Sequence, residues 1–304
     1  MTRTTPRLLT ADAGAGPGAV RGGRWWDERR PAGRARSWFF LLHPGPSLLV
    51  TATFVAIAGR AAGMVPSAGK AVQLVAIMLP VQFAIGAAND AADARNDATA
   101  KPYKPIVRGV VNQRAAGVAA AVLGAGGLVA AATVNPPTLG LVVAGLAAGL
   151  AYDFGLRRTP LSWVPWWGGI ALLPLAAYTA TGSFPSQLLM VIPAALLAGV
   201  SLHCANALPD IDADRRAGRR SLPVLLGETL SRAVAMCGLA GAAIVAVGAA
   251  LAWGSAARWI VLGAGVVFAA VLGVVAVRRL ARPFPLLAVA TACFAFVWLA
   301  ALPA

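Results

Sequence analysis

Asp90, Asp93 and Asp97 follow one another at i, i+3 and i+7 directly behind Asn89, and Asn206, Asp210 and Asp214 stand at i, i+4 and i+8. On a helix each set lies along one face. Carboxylates stacked at that spacing repel one another, so the arrangement is unfavourable unless a cation compensates it. Hard oxygen donors select magnesium, which typically combines one or two carboxylates with phosphate oxygens and retained water. Two such faces meeting would hold a diphosphate between them. The 304-residue chain has 11 acidic residues, and Asp12, Asp27 and Glu28 lie in its first 37 positions. Of the other eight, six are Asp90, Asp93, Asp97, Asp210, Asp212 and Asp214, so the clustering is not a by-product of an acid-rich chain. A single Asp at the end of an apolar run reads as a solvated helix end. Two clusters, each followed by basic residues, read as a site, because ionisable groups at membrane depth are functional candidates by default.

The basic residues supply the other half of the chemistry. Lys101, Lys104 and Arg108 follow the first cluster, Arg157 and Arg158 stand between the clusters, and Arg215, Arg216, Arg219 and Arg220 follow the second. Lys104, Arg108, Arg157, Arg158 and Arg219 are candidate diphosphate ligands that would neutralise the leaving group, Lys104 and Arg158 being slightly better placed for substrate than the others. The same residues could instead attract anionic lipid headgroups and fix topology. His43 and His203 stand in or beside apolar runs, where a lone His is more often packed than catalytic.

The elements that must position these groups are membrane spans. Hydrophobic residues make up 59% of the chain and charged ones 12%, with a mean hydropathy of +0.72. Runs near the length needed to cross a bilayer occur at 38–59, 71–92, 113–134, 138–155, 162–181, 188–209, 231–253, 257–277 and 284–302. The expectation is an all-α bundle of about nine transmembrane helices, residues 38–304, behind a disordered, retained basic tail, residues 1–37. With the tail in the cytoplasm, 23 of the 26 basic residues fall on the inner side and only Arg60, Lys70 and Arg258 on the outer, which sets the orientation by the positive-inside rule. The net charge of +15 then reflects topology and lipid contact, and implies no nucleic-acid partner. Cys204, Cys237 and Cys293 have no metal-ligand spacing and predict no disulfide framework or zinc site.

Asn89-Asp90-x-x-Asp93-x-x-x-Asp97 resembles the NDxxDxxxD signature of the UbiA superfamily of intramembrane prenyltransferases, and the following KPYKPIVRG resembles an RPI-x-x-G stretch of many members. Asp210 to Asp214 with Gly218, Arg219, Arg220 and Ser221 is similar to the D-x-x-x-D and GRR-[ST]-L run of family members that prenylate aromatic acceptors. The resemblance covers residues 38 to 304. It implies a nine-span enzyme of the cell membrane with a cytoplasm-facing site, in which Asn89, Asp90, Asp93, Asp97, Asn206, Asp210 and Asp214 hold Mg2+ and an isoprenyl diphosphate. Tyr152 matches the Tyr of a Tyr-x-x-x-Lys element, but the basic residues here are Arg157 and Arg158, and either could take the lysine's role. Asp153 beside Tyr152 could belong to the site or pair locally with those arginines. Asp93, Asp214 and Tyr152 are the candidate catalytic residues.

The implied reaction is ionisation of the allylic C–O bond and capture of the carbocation by an acceptor, an aromatic ring by resemblance. A terpene cyclase of the same superfamily would use the same cradle without an acceptor. A transporter would place its acids nearer the bilayer midplane, within broken helices.

Overall fold

The computed structural model describes residues 31–254 and 256–302. Among these the chain is all helical: α1 (Pro31–Leu41), α2 (Pro44–Ala61), α3 (Ala68–Ala100), α4 (Gln113–Ala132), α5 (Pro136–Phe154), α6 (Val164–Thr179), α7 (Val191–Ala207), α8 (Ile211–Arg216), α9 (Leu222–Ala252), α10 (Arg258–Arg278) and α11 (Phe284–Ala300). A helix stands at each of the nine predicted runs. Six are long and apolar enough to cross a membrane, α7 being one of them together with the turns and α8 that extend it to Ser186–Arg216, and α1 with α2, bent by 55° between them, makes a seventh. The helices α6 and α11, at 16 and 17 residues, are shorter than the usual span.

The helix starts follow from local chemistry. Asn112 accepts hydrogen bonds from the backbone N–H groups of Arg114 and Ala115, and Asn135 accepts one from that of Thr138. Both satisfy donors that a helix start leaves orphaned. Proline opens α2, α5, α6, α9 and α11, where its missing N–H has no helical partner to lose. Proline also opens α1, which begins inside the stretch assigned to the basic tail. Residues 31–37 are therefore helical, and the rest of the tail, residues 1–30, lies outside the described residues.

Small residues bring the helices close. Most extensive are the contacts of α3 with α4 and of α7 with α9. A Cβ on Gly199 of α7 would lie 2.7 Å from the backbone nitrogen of Trp167, so only glycine permits α6 and α7 to approach as they do. One continuous apolar core runs through α2, α3, α6, α7, α9, α10 and α11. A smaller cluster of Leu41, Ala87, Val111 and Ala116 packs α1, α3, α4 and the 101–112 loop together at one end, beside the aspartates of α3.

The two ends of the bundle differ in polarity. At one end Arg60 donates to the Ala300 carbonyl, and Lys70 to that of Ala180. Both close the last turns of helices whose carbonyls would otherwise lack partners. The charged clusters gather at the other end.

Candidate active site

At 33 residues, α3 is roughly 50 Å long, more than the ~30 Å hydrocarbon core requires. Its C-terminal turns therefore carry Asn89, Asp90, Asp93 and Asp97 beyond the middle of the bundle. These carboxylates are not solvated helix ends: Asp90, Asp93 and Asp97 retain 3%, 8% and 6% exposure. Burying them unpaired would be prohibitive, and each meets a cation.

Lys104, from the loop after α3, places Nζ 2.6 Å from Asp90 Oδ1 and 2.7 Å from Asp97 Oδ2. Burial alone would lower its pKa, but the hydrogen bonds and charges of Asp90 and Asp97 outweigh that and leave the ammonium with a raised value. Arg157, on a 3-10 turn at Leu156–Arg158 directly after α5, donates to Asp93 through Nη1. Arg219 joins the two clusters: its Nη1 donates to Asp214 Oδ1 at 2.9 Å, and its Nη2 lies 3.9 Å from Asp93 Oδ1. Lys101 makes a second link, with Nζ 3.5 Å from Asp210 Oδ2. Two sequence motifs that are 120 positions apart, from Asp90 to Asp210, thus converge through two basic side chains, Arg219 and Lys101.

Other candidates sit differently. The second cluster is not one uniform helix: the chain tightens into a 3-10 turn at Leu208–Asp210 before α8, where Pro209 offers no N–H to an α-helical ladder. The i, i+4, i+8 register expected of Asn206, Asp210 and Asp214 is therefore altered. Asn206 is exposed, Asp214 is half-buried, and Asp212 pairs with Arg215 outside the group. Of the two arginines after α5, Arg157 is buried against Asp93, whereas Arg158 is exposed and contributes a backbone carbonyl to the N–H of Arg220. Arg108 is exposed on the loop.

Two contacts escaped the sequence reading. Asn89 donates to Asp153 Oδ1 at 2.7 Å, tying α3 to the end of α5 and placing Asp153 with the site. His43 Nε2 lies 3.0 Å from Asp90 Oδ1. The only available signal for the latter was a histidine at the polar end of an apolar run, in a chain with two histidines. Tyr152 packs edge-on against Trp166 and His203, with ring centroids 6.1 and 5.9 Å away, and Trp166 also meets Phe284 of α11. His203 contacts Ser162 Oγ at 2.8 Å, and that oxygen accepts from the backbone N–H of Leu222, holding the start of α9.

Among the described residues no three His, Cys, Asp or Glu side chains stand close enough together to form a metal cage. The donor set nevertheless fits a hard cation with an anionic partner. Asp153 Oδ2 is buried without a hydrogen bond. Arg157 Nε and Nη2 are buried donors with no acceptor. An orphaned acceptor beside orphaned donors matches a cation bound together with a phosphate group.

The model of the UbiA prenyltransferase family matches residues 48–300. The chain belongs to the UbiA prenyltransferase family. Two relatives called digeranylgeranylglyceryl phosphate synthase are similar to it. The one from Methanopyrus kandleri is 28% identical over 178 residues, 55% of this chain and 64% of the relative, so the match spans less than two thirds of that protein. The one from Natronomonas pharaonis is 32% identical over 219 residues, 70% of this chain and 76% of the relative. A UbiA homologue from Archaeoglobus fulgidus, solved with GPP and Mg2+, superposes with a TM-score of 0.69 at 16% identity, covering 86% of this chain and 99% of that one. The all-helical UbiA fold expected from the two aspartate motifs is thereby borne out.

Proposed function

We propose that this UbiA family member transfers an allylic isoprenyl group from its diphosphate to a lipid-soluble acceptor, using magnesium, at the end of the bundle where the two aspartate clusters meet. The observation that carries this reading is the bridge from Asp93 through Arg219 to Asp214, with Arg157 also on Asp93 and Lys104 on Asp90 and Asp97. Asn89, Asp90, Asp93, Asp97, Asn206, Asp210 and Asp214 would hold the metal, which would supply Lewis-acid charge to the diphosphate oxygens. The A. fulgidus homologue bound to GPP and Mg2+ supports that pairing.

In the absence of substrate the basic side chains compensate the carboxylates. On substrate binding, Lys104, Arg157 and Arg219 turn to the diphosphate oxygens, joined from the loops by Arg108 and Arg158. They stabilise the negative charge as the allylic C–O bond breaks and its electron pair leaves with diphosphate. Tyr152, with Trp166 and His203 behind it, presents aromatic surface to the carbocation and keeps water away. The acceptor's nucleophilic atom forms the new bond to the allylic carbon and gives up its proton to the departing diphosphate. The basic excess at this end supports placing the site at the cytoplasmic face of a cell membrane, with α1 preceded by a cytoplasmic N-terminus.

The relatives' names support a glyceryl phosphate lipid as acceptor. An aromatic ring is the acceptor suggested by the GRRSL-type motif at Gly218–Leu222. No observation favours the cyclase. The test is incubation of the purified protein with Mg2+ and geranyl, farnesyl or geranylgeranyl diphosphate, with geranylgeranylglyceryl phosphate, an aromatic panel, or no acceptor, followed by mass spectrometry. Prenylated product that forms only with acceptor supports transfer and names the acceptor class. A terpene hydrocarbon or alcohol made without acceptor would overturn transfer in favour of cyclisation.

A further inference from the structure

We propose that His43 is a positioning residue for Asp90: its Nε2 anchors Oδ1 of the carboxylate so that Asp90 keeps the orientation in which it binds the metal. This rests on the magnesium-dependent reading of the aspartate clusters. Three observations carry it. His43 Nε2 lies 3.0 Å from Asp90 Oδ1, and because an ionised carboxylate only accepts hydrogen bonds, Nε2 carries the hydrogen.

The backbone at His43 is left-handed, with φ 51° and ψ 57°, a region that residues with a Cβ enter at an energetic cost and that clusters at functional sites. It occupies the 55° break between α1 and α2, followed at once by Pro44. Finally, α3 is cut away to receive it. A Cβ on Gly86 would lie 3.0 Å from the Leu42 carbonyl oxygen and 3.3 Å from His43 Cβ. Gly86 is one helical turn before Asp90 on the same face of α3. The break in the first span therefore rests on a glycine and directs its histidine up the helix face to the first aspartate of the motif.

Two donors share Asp90 Oδ1, and they differ in character. Lys104 Nζ also contacts Asp97 and rides on a flexible stem, so it can follow an arriving diphosphate. His43 is held by a folded backbone, and its contact is with Asp90. It is the contact that can persist when the ammonium moves, so the carboxylate would keep its orientation toward a bound cation. Such outer partners orient metal-binding groups, and their loss typically weakens metal affinity about ten- to a hundredfold.

The experiment is Mn2+ uptake, read as free Mn2+ by electron paramagnetic resonance, by detergent-purified protein with an unreactive isoprenyl thiolodiphosphate. The variants are His43→Asn, His43→Gln and Gly86→Ala, and thermal midpoints are measured alongside. Asn tolerates the left-handed backbone but stops short of Asp90, whereas the Gln amide nitrogen can occupy the place of Nε2. His43→Asn is expected to weaken uptake about ten- to a hundredfold with its thermal midpoint held, and His43→Gln to restore most of it. Gly86→Ala, which displaces His43 without removing a donor, is expected to weaken uptake as well. Unchanged uptake in His43→Asn, or a His43→Gln variant as weak as His43→Asn, would leave His43 as a packing residue only and overturn the proposal. Absence of uptake by the unmodified protein would overturn the magnesium reading itself, and the role of His43 with it.

Discussion

Arg157 and Arg158 are adjacent in sequence but occupy different environments. Arg157 is buried on Asp93, and two of its guanidinium nitrogens have no acceptor, whereas Arg158 is exposed. Removing one partner of a buried ion pair strands the other charge, at a cost of about 3 kcal/mol. Arg157→Met is therefore expected to lower stability by about that amount and to abolish prenyl transfer. Arg158→Ala should change stability by less than about 0.5 kcal/mol and retain measurable turnover. Thermal denaturation and initial rates in the same detergent check both. Equal losses in the two variants would mean that both arginines serve the site equally. The sequence leaves the lysine's role open between them and places Arg158 slightly better for substrate, whereas the 3-10 turn that follows α5 buries Arg157 on Asp93 and leaves Arg158 exposed.

At the scale of the elements, α9 contains a second constraint of this kind. Its helical geometry is interrupted at Gly227, whose φ of 74° and ψ of 173° lie in a region essentially reserved for glycine. The break lies 3.7 Å, measured from a Cβ built there, from the Arg215 guanidinium, so the start of α9 packs beside the second cluster. Gly227→Ala is expected to lower stability by roughly 1–3 kcal/mol and to reduce activity, read by thermal denaturation and turnover. An unaffected variant would show that α9 needs no such break. The positions of the helices were legible because apolar run length is a local signal. The breaks were not. The bend at His43 and the interruption at Gly227 depend on what packs alongside, whereas the tightening at Leu208–Asp210 follows from Pro209, a local signal that a uniform helical register passes over. For the same reason the acidic and basic candidates could be named from spacing, while the pairs Asn89 with Asp153 and His43 with Asp90 join different helices and left no local periodic signal.

For the whole molecule, the separation of charge between its two ends is the property with a topological consequence. Residues such as Arg216 lie at the end that carries the aspartates, and the turn holding Met64 lies at the end closed by Arg60 and Lys70. In intact cells Met64→Cys should react with a membrane-impermeant thiol reagent, and Arg216→Cys should react only after the membrane is opened. The reverse pattern would invert the proposed orientation. The central claim, that the two aspartate clusters act together on an isoprenyl diphosphate, is tested most directly by magnesium-dependent diphosphate release from geranylgeranyl diphosphate in the presence of acceptor. The unmodified protein is compared with Asp93→Ala and Asp210→Ala, each verified as folded by its thermal transition. The account predicts release that requires magnesium and is lost in both variants. Magnesium-dependent release that persists in either folded variant would contradict it.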